Sequence, residues 1–288
     1  MKEGVVLLIG RPNVGKSTFV NNVIGQKVAI TSPKPQTTRS PIKALLNEER
    51  GNILFIDTPG IIGKAQDYLS KKINERTMNV LHEKVNIVIY MVDHTRRRDF
   101  EEGRVLGFVR QINKPKLLVI NKIDLQEKSY LPQYKFLEDE FPDIYAISAI
   151  TRKHFKPLLD KIFELLPEVS ESEMGDDPIY PLINMDSYGF IAELIREKVF
   201  LKMGEEIPYT TTAIVDEITE RTKKITYIKA RILTTEDRYK RMIIGHDGHK
   251  IKELGSMSRK EIELAMDRKI FLDLTVETDP HWQEVYYK

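Results

Sequence analysis

Apolar positions along this chain follow two rhythms. Val5 to Ile9, Ile87 to Val92, Leu117 to Ile120 and Ile144 to Ile147 are continuous apolar runs, the pattern of strands covered on both faces. Ile42 to Leu46 and Ile53 to Ile56 flank the polar turn Asn47 to Asn52, with Gly51 in it, and predict an antiparallel hairpin. Between the runs, Lys16 to Ile24, Tyr68 to Lys84, Phe100 to Ile112, Leu131 to Glu140 and Phe155 to Leu165 carry helical spacing. Strand and helix alternate, so the pattern predicts an α/β domain with a mostly parallel sheet and helices on both sides.

After Pro167 the rhythm changes. Glu168 to Pro178 is rich in Glu, Ser, Gly and Asp and reads as an exposed linker. Beyond it we expect a helix from Ile191 to Lys202, strands Thr210 to Ile218 and Ile225 to Leu233, and a short helix around Arg238 to Met242. A turn at Gly245 to Gly248, a helix Lys250 to Met266 and a strand Ile270 to Val276 complete a small α+β domain. The expected division is 1–167, a linker 168–178, and 179–288.

At 288 residues the chain can bury two cores. It contains no cysteine, which excludes disulfides and cysteine-ligated zinc. No apolar stretch approaches the ~20 residues of a membrane span, and no signal-peptide pattern precedes the first strand, so a cytoplasmic location is expected. A net charge of +2 says little, but its distribution says more: Arg221 to Lys260 holds twelve Lys and Arg against four Asp and Glu. Such a window suits a polyanionic partner.

The chemistry sits at the ends of the predicted strands. Gly10-Arg11-Pro12-Asn13-Val14-Gly15-Lys16-Ser17, followed by Thr18, is a full GxxxxGK[ST] between a strand and a helix. Its backbone N–H groups and the helix N-terminus can cradle phosphates. Lys16 would reach the β- and γ-phosphates, and Ser17 would ligate Mg2+. Asp57-Thr58-Pro59-Gly60 follows a strand; Asp57 can hold Mg2+ through water, and the Gly60 N–H can touch a γ-phosphate. In Asn121-Lys122-Ile123-Asp124 the carboxylate of Asp124 can accept two hydrogen bonds from guanine, Asn121 can brace the loop, and the Lys122 stem can lie over the base. Backbone N–H groups of Ser148 and Ala149 would meet the guanine carbonyl. In Gln36-Thr37-Thr38-Arg39 a threonine could complete the Mg2+ shell and sense the γ-phosphate; Thr38 is preferred, with Thr37 the alternative. Lys16, Thr38 and Gly60 are thus expected to act on the reacting phosphate.

With these motifs in order, the first 170 residues resemble translation-factor-like GTPases, and more narrowly the Era family, whose members append a KH domain. Ile243 to Gly255, IIGHDGHKIKELG, is similar to the GxxG signature of the type II KH fold. The resemblance implies a P-loop GTPase domain followed by a KH domain, with GTP, GDP and Mg2+ as ligands. It also implies binding to the 3′ end of small-subunit (16S) ribosomal RNA and a role in assembly of the 30S subunit; no DNA partner and a monomer are expected besides. Independently, the glycine turn and the cations and apolar residues around it predict an RNA surface of Arg238, Lys240, Arg241, Ile244, Gly245, His246, Asp247, Gly248, Lys250, Ile251 and Lys252. Relatives often carry a basic residue inside the GxxG turn; here His246 and Asp247 fill it.

Ile61 and Ile62 stand where Ras-type GTPases place the glutamine that orients water, so either another group positions the nucleophile or intrinsic hydrolysis is slow; slow turnover is expected, as suits a switch. Asn13 resembles an asparagine with which some related GTPases bind K+; loop bracing is the alternative. Two competing readings share the same residues. One is an RNA-binding module that uses nucleotide structurally. The other is a GTPase acting on transfer RNA or peripherally at the inner face of the membrane.

Overall fold

The structure is a computed structural model of all 288 residues, and the described residues are 1–60, 67–80, 84–169, 184–222 and 225–287. It divides into two compact units, one of residues 1–31 and 38–184 and the other of residues 32–37 and 185–288.

The first unit is a six-stranded sheet ordered β2-β3-β1-β4-β5-β6, built from β1 Lys2–Ile9, β2 Ile42–Glu48, β3 Gly51–Asp57, β4 Ile87–Asp93, β5 Lys116–Asn121 and β6 Ile144–Ala146. Only β2 runs antiparallel, in the hairpin with β3. Every residue of β4 is buried, because helices cover both faces of this central strand. On one face Phe19 of α1 (Lys16–Ile24) packs edge-on against Phe55 and Phe155, the latter on α4 (Phe155–Leu165). On the other, Val105, Leu106 and Val109 of α3 (Phe100–Gln111) meet Tyr90, Val92 and Leu118. Parallel register brings the carboxyl ends together: Leu8 pairs with Asp57, Asp93 with Asn121, and Ile120 with Ala146. The motif-bearing loops therefore leave one edge of the sheet, where α/β proteins bind ligands.

Sequence rhythm and structure do not coincide everywhere. Leu131 to Glu140 forms a 3-10 helix, Leu131–Asp139, in place of an α-helix. Its buried residues Tyr134 and Leu137 are three apart, the spacing that a 3-10 turn eclipses. α2 is Tyr68–Val80, and the rest of that expected helix falls largely outside the described residues. α5 is Ser187–Lys202, a turn longer than expected, because Asp186 caps it by accepting from the Gly189 N–H at 2.7 Å. α8, Trp282–Tyr286, was not expected: five residues show no periodicity, and its anchor is the fully buried Trp282 indole, which donates to the Thr210 carbonyl at 3.1 Å.

The second unit is a three-stranded sheet, β7 Thr211–Thr222, β8 Ile225–Thr234 and β9 Lys269–Thr278, with β7 and β8 antiparallel and β8 and β9 parallel. The parallel step requires a crossover, supplied by α6 (Asp237–Ile244) and α7 (His249–Met266). Leu194, Ile195 and Phe200 of α5 are buried in its core, as are Ile228, Ile232, Leu254 and Ile262. Most of the expected linker 168–178 lies outside the described residues.

Candidate nucleotide site and RNA surface

The loop Gly10 to Ser17 turns on two left-handed residues, Asn13 at φ 65° and Gly15 at φ 104°. A side chain at Gly15 is excluded twice, since a Cβ there would also come within 2.1 Å of the Asn121 amide nitrogen. That amide is the brace expected from the sequence: Asn121 donates to the Val14 carbonyl at 2.7 Å and accepts from the Ala149 N–H at 2.8 Å. One side chain so ties the phosphate loop, the Asn-Lys-Ile-Asp loop and the Ser148-Ala149 loop together.

Lys16 is buried, and its ammonium donates to the Gly10 and Arg11 carbonyls, both at 3.0 Å. Burial lowers its pKa to about 8, against the opposing pull of Asp57. The Ser17 hydroxyl donates to Asp57 at 2.5 Å and lies 3.1 Å from the Thr38 hydroxyl. Burial raises the Asp57 carboxyl to about 6, although Lys16 and Ser17 both favour its charged form. Its second oxygen, Oδ1, is buried with no hydrogen-bond partner among the described residues. Two hydroxyls and a carboxylate with an unsatisfied oxygen form a hard, all-oxygen donor set, which fits Mg2+. Gly60 lies against the loop: a Cβ there would fall 2.3 Å from the Pro12 nitrogen. Thr58 is buried and donates to the Leu8 carbonyl at 2.7 Å, fixing the start of that segment.

At the base end, Asp124 is exposed and Lys122, left-handed at φ 69°, reaches Asp93 at 2.6 Å. Burial pushes the Asp93 carboxyl up, but hydrogen bonds from Lys122 and Thr95 outweigh it and hold the pKa below the usual range.

Three groups of the expected site have partners within the protein. The Ser148 N–H donates to the Lys153 carbonyl at 3.2 Å and the Ala149 N–H to Asn121, so both are spent inside the protein in this conformation. Arg11 does not turn toward phosphate. Its guanidinium, 4% exposed, bonds Asp99 at 2.8 Å, Glu101 at 2.9 Å and the Arg97 carbonyl at 3.3 Å, because three carboxylates at the start of α3 outbid a solvated position. Thr37 does not face Ser17: it is buried in the second unit, donates to the Lys34 carbonyl at 2.7 Å, and its own carbonyl accepts from Arg196 of α5. Ile61 and Ile62 lie outside the described residues. The Arg11 cluster and Arg196 were missed by sequence reasoning. The run Asp99-Phe100-Glu101-Glu102 was its only signal for the first, and none existed for the second.

In the second unit α6 ends at Gly245, φ 73°, and Gly248, φ 72°, opens α7 without a side-chain cap. His246 and Asp247 project between them with side chains 95% and 89% exposed, paired at 3.1 Å. Arg241, Lys250 and Lys252 are exposed around the turn, with Lys240, Ile244 and Ile251 half-buried. Arg238 is exposed but engaged, bonding Glu236 at 2.8 Å and the Tyr239 hydroxyl at 2.6 Å. The uncapped N–H groups of α7, ringed by these cations, form a surface suited to phosphate.

A phosphate loop, a serine–threonine–aspartate cluster and a guanine-type loop on one sheet edge define a P-loop GTPase, and the α-β-β-α-α-β unit after it carries the GxxG turn of a KH domain. Family models agree: 50S ribosome-binding GTPase matches residues 5–122 and KH domain residues 206–283. Curated relatives include GTPase Era of Halothermothrix orenii, 37% identical over 98% of this chain and 95% of its own length. GTPase Era of Geobacter sp. is 36% identical over 98% and 94%. Two solved Era structures, one an Aquifex aeolicus variant bound to GDP and aluminium fluoride, the other Era with MgGDPNP and nucleotides 1506–1542 of 16S ribosomal RNA, each superpose with TM-score 0.89. They are 32% and 33% identical, with 100% of this chain and 97% of theirs covered. The chain belongs to the Era family of GTPases.

Proposed function

We propose that this GTPase is a switch that hydrolyses GTP to GDP, binds the 3′ end of small-subunit ribosomal RNA through its KH unit, and assists maturation of the 30S subunit. The observation that carries the reading is the convergence of Lys16, Ser17, Thr38 and Asp57 within hydrogen-bonding reach of one another or of the loop carbonyls. In it, Lys16 leaves those carbonyls for the β- and γ-phosphates. Ser17 and Thr38 would hold Mg2+, with Asp57 acting through water, and the Gly60 N–H would meet the γ-phosphate. Asn121 holds the loops, Asp124 reads the guanine amino edge, and the cations around Gly245 to Gly248 meet RNA phosphates. Bound Mg2+ would neutralise charge developing on the phosphates.

Several narrower readings accompany it: domain bounds at 167 and 179, K+ beside Asn13, slow turnover, a cytoplasmic monomer, and peripheral contact with the inner membrane face. Hydrolysis in K+ against Na+, sedimentation, and flotation with vesicles test the cation, the monomer and the membrane contact.

The decisive experiment is nucleotide binding by wild type and Asp124→Asn with GTP, xanthosine triphosphate and ATP. A shift of the variant toward the xanthine nucleotide is expected; a wild-type preference for ATP overturns the assignment. A companion titration compares a ribosomal RNA 3′ fragment with unrelated RNA across salt, because phosphate contacts alone give salt dependence without selectivity.

A further inference from the structure

The first unit carries a cationic, aromatic surface that the nucleotide site does not use. Residues 95–104 read TRRRDFEEGR, four arginines among three carboxylates, which on sequence alone is nearly balanced. In the structure the carboxylates and the arginines have different partners. Glu101 and Glu102 turn inward to the buried Arg11, at 2.9 and 3.8 Å, and Asp99, itself 49% exposed, bonds the same guanidinium at 2.8 Å. Arg97 and Arg98 stay exposed and make no ion pair among the described residues, so two cations not spent on Arg11's carboxylates stand at the surface beside the half-exposed Asp99.

Two rings lie among these cations. Phe100 is 72% exposed at the first position of α3, with the Arg104 guanidinium 5.9 Å from its centroid. Phe136 is 36% exposed beneath Arg98, whose guanidinium is 4.6 Å from the ring. The loop is held in place: the Arg98 N–H donates to Gln133 at 2.9 Å, and Asp99 caps α3 by accepting from the Glu102 N–H at 3.1 Å. Guanidinia beside exposed rings on a pinned backbone match a chain that alternates phosphates and flat bases. An acidic peptide offers the charge without the flat partner.

We propose that the surface around Arg97, Arg98 and Phe100 is a second RNA-binding site, on the GTPase unit, for a segment with unpaired bases. It is separate from the GxxG surface, and each of the two can fail while the other stands.

Ultraviolet cross-linking of the unmodified full-length protein to a full-length 16S ribosomal RNA transcript, read by peptide mass spectrometry, tests it without any mutation. Cross-links to the peptide spanning Arg97 to Arg104 are expected, and their absence overturns the proposal. Binding titrations then compare wild type, Arg97→Ala/Arg98→Ala/Phe100→Ala, and Lys250→Ala/Lys252→Ala. The triple variant should lose about 10- to 100-fold in affinity, the scale of one stacked base with two phosphate contacts, with a salt slope shallower by roughly 1.4. It should lose as much in the Lys250→Ala/Lys252→Ala background. Unchanged RNA affinity overturns the proposal, as does unchanged RNA affinity accompanied by lost binding to phosphatidylglycerol vesicles, which would make the patch a lipid contact.

Discussion

Asn121 concentrates in one amide what holds the nucleotide loops in place. Replacing it with alanine strands the Val14 carbonyl and the Ala149 N–H, both in buried surroundings. Asn121→Ala should therefore cost about 1–3 kcal/mol, read as a lower urea midpoint, and should accelerate release of a fluorescent guanine nucleotide. Gly15→Ala should abolish that binding, since its methyl group meets both a left-handed backbone at φ 104° and the Asn121 amide. Asp93 supplies a pH signature. Its folded pKa lies below the ordinary 3.8, so its pairing with Lys122 contributes fully above that value and is lost as pH falls through the folded pKa. Wild type should thus lose more stability than Asp93→Asn as pH falls from about 5 through the folded pKa of Asp93, measured by urea midpoints. The two should converge at low pH after differing by about 2 kcal/mol near neutrality.

Elements were legible where their signals were local. α1 and α4 match their expected bounds residue for residue, and the buried strands match nearly so, because unbroken apolar runs leave no alternative face. The 3-10 helix and α8 were not legible, since each depends on a tertiary anchor, Tyr134 and Leu137 in the core and a buried indole; the cap at Asp186 is a local signal three residues from its partner that the apolar spacing did not register. The join between the phosphate loop and α3 is of the same kind. Glu102 is pushed toward its neutral form by burial even as Tyr90, at 2.5 Å, and Arg11 favour its charge. Arg11→Met would leave these carboxylates facing one another and should destabilise the first unit by about 3–5 kcal/mol, measurable by thermal or urea unfolding. Arg11→Lys should restore less than half of the loss, because one ammonium cannot span Asp99, Glu101 and the Arg97 carbonyl together.

At the scale of the whole molecule, the chain runs from Thr37, whose carbonyl Arg196 holds in the second unit, directly to Thr38, which approaches Ser17 in the first. If nucleotide orders Thr38, the strain passes to the next peptide. RNA affinity should then differ between GTP- and GDP-loaded wild type by the same factor as GTP and GDP affinities differ with RNA. Arg196→Ala should bring that ratio toward one, and isothermal titration of the four states checks it; an unchanged ratio removes Arg196 from the coupling. The sequence by itself determined the order of elements, the phosphate loop, the guanine loop and the GxxG turn, because each is written in a few consecutive residues whose spacing sets local geometry. Only the tertiary structure decided that Thr38 meets Ser17, that Arg11 turns to Asp99, and that Asn121 reaches Val14. Those partners are separated by 21, 88 and 107 positions, and the sheet register that brings them together is a property of the packed core, not of any short stretch of chain.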